Sequence, residues 1–172
     1  MYNSLELIEL LKKKKYDIKL HQHDALYTVE DSKKLRGKIE GAHSKNLFLK
    51  NKKNEFFLLS CEEADKIDLK KISKSLKLGN VSFAKKEYLD QYLKIKPGSV
   101  SPFALLNDSV GLVNFYLEES LYDSKFVNFH PLINTYTITI ETKKFIEFMI
   151  ENNKKIHIFS SANGKVLKTY GK

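Results

Sequence analysis

Two spacings of apolar residues alternate along this chain. Leu7, Ile8 and Leu11 recur at helical intervals behind Asn3, and Glu6 follows Asn3 by three residues. That arrangement predicts a capped helix over 4–14. Tyr16, Ile18 and Leu20 then alternate with Asp17 and Lys19, the two-residue period of a strand running toward His21. Thr-Val-Glu-Asp at 28–31 resembles a capping box opening a short helix to about residue 35. Apolar runs at 47–50 and 55–61 read as paired strands around a turn at 51–54. Leu69, Ile72 and Leu76 line one side of a helix over 68–76.

A short strand at 81–84 and a helix at 86–93 follow, then strands at 111–117 and 126–129. Tyr136, Ile138 and Ile140 alternate with Thr135, Thr137 and Thr139, a strong strand signal. Phe145, Phe148 and Met149 mark an amphipathic helix over 142–152, and 155–159 reads as a closing strand. The polar tail after Ser160 is expected to fray. Strands and helices are mixed without regular βαβ alternation, and several strands follow one another directly. The expected fold is α/β of the α+β type: a mixed, mostly antiparallel curled sheet surrounded by helices. The 172 residues suit a single domain spanning 1–172.

Composition narrows the setting. No apolar run approaches the roughly 18–20 residues of a membrane helix, and the first fifteen residues carry Glu6 and Glu9 among their leucines, as a soluble helix and not a signal peptide does. Cys61 is the single cysteine, which excludes an intrachain disulfide and a thiolate zinc site and points to reducing cytoplasm. Its apolar surroundings suggest a structural thiol. A net charge of +9 attracts polyanions, nucleic acid first among them, although Lys- and Asn-rich composition also follows from an AT-rich genome. The lysine runs are interleaved with apolar residues, as solvated helix faces are, and some can also track phosphates.

Three segments carry candidate chemistry. In "GAHSKNLFL", strand alternation places Lys45 with Leu47 and Leu49 and puts Asn46 with Phe48 and Lys50. A lysine there either snorkels out at the sheet edge or points into a pocket. In "LKIKPGSVSPFALLND", Pro97-Gly98 suits the central positions of a type II turn, and Pro102 closes the segment. The backbone N–H groups of Ser99, Val100 and Ser101 can then project from a stiff loop toward a carbonyl, carboxylate or phosphate oxygen. A rigid surface turn would use the same residues. In "NFHPLINT", Pro131 biases His130 toward an extended conformation at a strand end. His21 and His23 share a strand face near Asp24, but two histidines with no clear third ligand argue against a metal site.

Together and in this order, "HSKNLFLKNKKNEFFLL", "GSVSP" and "NFHPLINTYTITI" resemble the YbaK/ProX family of freestanding aminoacyl-tRNA editing domains, over roughly 27–159. The wording is most similar to the ProX branch, which hydrolyses Ala-tRNA(Pro). The resemblance implies a hydrolase that clears a mischarged amino acid from tRNA(Pro), with no cofactor and no metal, and with the ribose 2′-hydroxyl assisting. It implies catalytic roles for Lys45, Asn46, Gly98 and His130. Lys45 would face the terminal phosphate or the developing oxyanion, and Asn46 would orient it or the substrate. The loop of Gly98, Ser99, Val100, Ser101 and Pro102 would hold the aminoacyl carbonyl, and His130 would shape the pocket wall. Leu26, Tyr27 and Val29 are candidates by position for the pocket that excludes proline. The implied partner is the acceptor end of mischarged tRNA, with prolyl-tRNA synthetase as a second partner the relationship allows. Three alternatives stay open: a deacylase for Cys-tRNA(Pro) or another mischarged tRNA, a non-catalytic module binding tRNA or amino acids, and a metal-dependent enzyme using His21 and His23.

Overall fold

The computed structural model describes residues 1–25 and 38–171. The helix expected over 28–35, and with it Leu26, Tyr27 and Val29, lies outside the described residues. Helix α1 (Ser4–Lys13) starts at Asn3, whose side chain accepts from the Glu6 N–H while the Glu6 carboxylate accepts from the Asn3 N–H. Strands β1 (Ile18–Gln22), β2 (Ala42–Asn51) and β3 (Phe56–Glu62) follow. Helix α2 (Leu69–Ser75) is capped by Asp68, and β4 (Val81–Phe83) comes next.

The helix expected over 86–93 is a single turn, α3 (Lys86–Tyr88), that widens into a π turn at Leu89–Leu93 and ends on Lys94 with φ 54°. The expected strand at 111–117 begins later, as β5 (Val113–Glu118), because the Asp108 carboxylate accepts from the N–H groups of Gly111, Leu112 and Val113 and holds them in a turn. Short helix α4 (Glu119–Asp123), β6 (Phe126–Phe129), β7 (Tyr136–Glu141), α5 (Thr142–Glu151) and β8 (Ile156–Ser160) complete the order up to the tail. The tail is ordered, contrary to the expected fraying. Asn163-Gly164 turns the chain, Gly164 taking φ 65° and donating to the Ser160 carbonyl, and β9 (Lys165–Tyr170) pairs antiparallel with β8. A hairpin turn signal outweighs the polarity of the residues it joins.

Among the described residues, nine strands form one mixed sheet in the order β1-β7-β6-β2-β3-β5-β8-β9, with β4 also on β2. The β1–β7, β6–β7, β2–β3, β2–β4 and β8–β9 pairs are antiparallel. The β2–β6, β3–β5 and β5–β8 pairs are parallel. Strand β2 changes neighbour along its length: Ala42 and His43 pair with β6, whereas Leu49–Asn51 pair with β4. The mostly antiparallel, helix-flanked sheet is thus the architecture expected.

Two apolar clusters use its two faces. The larger joins Phe48, Phe56, Leu58, Phe115, Val127, Phe129, Ile138 and Ile140 to α1, α5 and Phe103. Phe103 is fully buried and meets Phe129, Phe145 and Phe148 edge-on. The smaller packs Leu49, Phe57, Leu59 and Cys61 against Ile72 of α2, Leu78 and Phe159. Among the described residues, no helix is long and apolar enough to cross a membrane.

Candidate active site

The register of β2 decides which way its candidate residues face. Lys45 lies opposite Cys61, and Asn46 opposite Ser60. Successive strand side chains alternate, so Lys45 shares the face of His43 and Cys61, while Asn46 shares that of Ser44, Ser60 and Phe48. The half-buried Lys45 ammonium donates to the Glu63 carbonyl at 3.4 Å and to the Asp65 carbonyl, both in the connection after β3. Cys61 beside it is fully buried, and burial, reinforced by Glu118, pushes its thiol up to about 12. It is a packing residue.

Asn46 sits in a directed chain of hydrogen bonds. Ser44 Oγ donates to the Asn128 carbonyl of β6 at 2.8 Å, and Asn46 Nδ2 donates to Ser44 Oγ at 3.3 Å. Ser60 Oγ donates to Asn46 Oδ1. On the Asn128 side chain, Nδ2 donates to the carbonyls of Glu40 at 2.9 Å and Ala42 at 3.2 Å, while Oδ1 accepts from Thr139. Thr139 in turn accepts from His21 Nε2 at 3.0 Å, because its only proton is given to Asn128. The start of β2 is thereby fastened to β6 and β7 by side chains as well as by its ladder.

The Pro97-Gly98 loop forms the expected type II turn. Ser99 N–H donates to the Lys96 carbonyl at 3.1 Å, and Gly98 has φ 85°. The Ser99 amide is therefore spent inside the turn. Ser101 is fully buried and caps the 3₁₀ turn Pro102–Asn107, its hydroxyl accepting from Phe103 N–H at 3.3 Å. Among the described residues, the N–H groups of Gly98, Val100 and Ser101 have no acceptor. Val100 packs on the larger core, and Phe103, next after Pro102, ties the loop to Phe129 at 6.0 Å between ring centroids.

His130 follows Phe129 directly. Its Nδ1 donates to the Tyr136 carbonyl at 2.9 Å, which fixes the neutral tautomer and leaves Nε2 with a lone pair. Burial holds its pKa below 6.5, and His23, with its ring centroid 6.0 Å away, adds to that, although the Tyr136 carbonyl opposes it. His23 Nε2 meets Thr137 Oγ1 at 2.9 Å, and its Nδ1 meets the Asp24 carbonyl at 2.7 Å. Burial also lowers the pKa of His21, as do Lys19, His23 and His43. Both histidines that sequence spacing offered to a metal are thus engaged with threonines. Among the described residues, no group of three or more His, Cys, Asp or Glu could hold a metal ion.

The structure brings the loop to the His130 strand end through Phe103, and Asn46 to β6 through Ser44. Among the described contacts, none joins the Lys45 amine to the loop; its partners are the carbonyls of Glu63 and Asp65. Ser44, Ser60, Asn128 and Thr139 did not emerge from the sequence as site residues. The threonine alternation of β7 was visible there, but only as a strand signal.

A model of the family described as "Aminoacyl-tRNA editing domain" matches residues 23–148. The prolyl-tRNA editing protein ProX of Acetoanaerobium sticklandii is 33% identical over 135 residues, covering 78% of this chain and 82% of that one. The prolyl-tRNA synthetase associated domain-containing protein 1 of Xenopus laevis is 34% identical over 133 residues, covering 74% and 79%. A solved structure described as "a putative trans-editing enzyme for prolyl tRNA synthetase" superposes with a TM-score of 0.66 at 18% identity, covering 91% of this chain and 96% of that one, and it supports the fold.

Proposed function

The chain belongs to the aminoacyl-tRNA editing domain family, and on that basis we propose that it deacylates mischarged tRNA(Pro), Ala-tRNA(Pro) above all. The observation that carries this reading is the similarity to ProX over 82% of that protein's length, together with a Pro-Gly loop whose Gly98 and Val100 amides have no acceptor among the described residues. In the proposed reaction, water attacks the carbonyl carbon of the ester, helped by the ribose 2′-hydroxyl. The carbonyl electrons move to oxygen, and the oxyanion is held by the N–H groups of Gly98 and Val100, the more exposed amides of the loop. The ester C–O bond then breaks, the ribose oxygen leaves with a proton, and a free amino acid and an uncharged tRNA end result.

Lys45 serves as the cation for the terminal phosphate or the oxyanion. A charged acceptor competes well with the two backbone carbonyls that hold its amine now, since ionic hydrogen bonds are roughly twice as strong as neutral ones. Asn46 orients the substrate. Neutral His130 offers its Nε2 lone pair to a substrate donor or a water. The tRNA acceptor end binds the basic surface through phosphates, so affinity falls as salt rises.

The deciding assay compares hydrolysis of Ala-, Cys-, Ser- and Pro-tRNA(Pro). Ala-tRNA(Pro) is expected to turn over and Pro-tRNA(Pro) to survive. Lys45→Ala is expected to lose activity about 100- to 1,000-fold, the usual cost of one oxyanion-type donor. Preference for Cys-tRNA(Pro) would reassign the substrate, and no turnover of any of the four by wild-type protein would end the reading.

A further inference from the structure

We infer that Ser60, with Ser44, is a positioning residue that sets which way the Asn46 amide faces, leaving a single N–H of that amide for the substrate. The inference rests on the editing reading above, and it follows from the polarity of the hydrogen-bond chain.

A backbone carbonyl can only accept. The Ser44 hydroxyl, 2.8 Å from the Asn128 carbonyl, must therefore give it its one proton. Ser44 Oγ is then available to Asn46 only as an acceptor, so the group facing it at 3.3 Å is the Asn46 NH₂. The amide oxygen must lie on the other side, where it accepts from Ser60 Oγ. Flipping the amide would set its oxygen against a hydroxyl with no proton left to give. Ser60 is fully buried on β3, and among the described residues its hydroxyl has Asn46 as its partner. Asn46 itself is half-buried, and among the described residues its second Nδ2 hydrogen has no acceptor, which leaves it to a ligand. Three strands thus converge on one amide: β6 fixes the polarity, β2 carries the group, and β3 holds its oxygen.

Ser60→Ala removes the donor to Oδ1 and leaves the amide held from the Ser44 side alone. Loss of one neutral hydrogen bond corresponds to a fall of roughly 3- to 10-fold in kcat/KM for the preferred mischarged tRNA. The discriminating measurement is a double-mutant cycle. If Ser60 acts through Asn46, then Ser60→Ala in an Asn46→Ala background changes kcat/KM by less than about 2-fold. Ser60→Thr, which keeps the hydroxyl, is expected to retain more activity than Ser60→Ala. Wild-type rates for Ser60→Ala, or the same fold-loss with and without Asn46, would overturn the inference while leaving the editing reading intact. Absence of activity in the wild-type protein would instead strike the editing reading. Should Ser60→Ala fail to fold, as judged by its melting transition, Ser44→Ala carries the same cycle from the other side of the amide.

Discussion

The two halves of the sheet spend their second face differently. On β3, residues Phe56 through Cys61 are all buried, and the face away from the larger core packs Leu49, Phe57, Leu59 and Cys61 against α2, Leu78 and Phe159. On β6 and β7 the face away from that core carries Asn128, Thr137 and Thr139, each less than a tenth exposed and each hydrogen bonded. Apolar packing tolerates many orientations so long as volume is filled, whereas a hydrogen bond demands a direction. One half therefore supplies stability, and the other fixes geometry. The His130 ring belongs to the second kind of construction, and the Asn46 amide, on the larger-core face of β2, is held by directed hydrogen bonds as well.

The comparison breaks most visibly where the apolar half is opened. Leu59→Ala, at a fully buried position of β3, is expected to cost about 2–5 kcal/mol in urea unfolding. A loss well under 1 kcal/mol would deny that half its role. A smaller effect is expected from Thr139→Val, which keeps the shape but leaves Asn128 Oδ1 and His21 Nε2 without their shared partner, at about 1–3 kcal/mol. Its deacylation rate should fall by more than that of a surface variant of equal stability, and unchanged turnover would separate the polar network from function.

Smaller still is the pH response. Burial lowers the pKa values of His130 and His21 from 6.5, so the unfolded chain takes up their protons first. Stability from these groups is complete above about 6.5 and drains away as pH falls through that value toward the folded pKa values. Unfolding free energies at pH 7.5 and 5.5 should differ in that direction, and His130→Asn should flatten the slope. An unchanged slope would contradict the burial of that ring. The smallest effect is a null one: Cys61, with its thiol up near 12, should resist iodoacetamide at pH 8 until urea unfolds the protein. Rapid labelling of the folded protein would show the apolar half to be open.

Much of this arrangement was legible from the pattern of residues. The helix at Asn3, the β7 alternation, the amphipathic α5 and the type II turn all follow from local rules. What escaped depended on pairing. A turn at 51–54 would set residue 50 against 55, but Lys50 pairs with Phe56, because Asn51 N–H donates to the Glu55 carbonyl and Asn54 takes φ 63°. One residue of slip exchanges the faces of a strand, so Ser60 could not be assigned to Asn46 without the register. The alternation of Lys45 and Asn46 was readable, but the carbonyls that hold the Lys45 amine come from a crossing connection with no sequence signature. β9 was missed for a different reason: its residues, Val166 and Leu167 among them, are almost all exposed and bury no apolar face, and Asn163-Gly164 is the turn that announces it.

The pairing of β1 with β7 has a consequence for biosynthesis. Ile18 finds its partner in Ile140, so β1 waits on the ribosome for a strand made long after it. Closing so long a loop is slow relative to local contacts. A nascent chain halted before Tyr136 holds β2 and β3 but offers His21 neither β7 nor Thr139. The polar half of the sheet is thus completed only once β7 has been made.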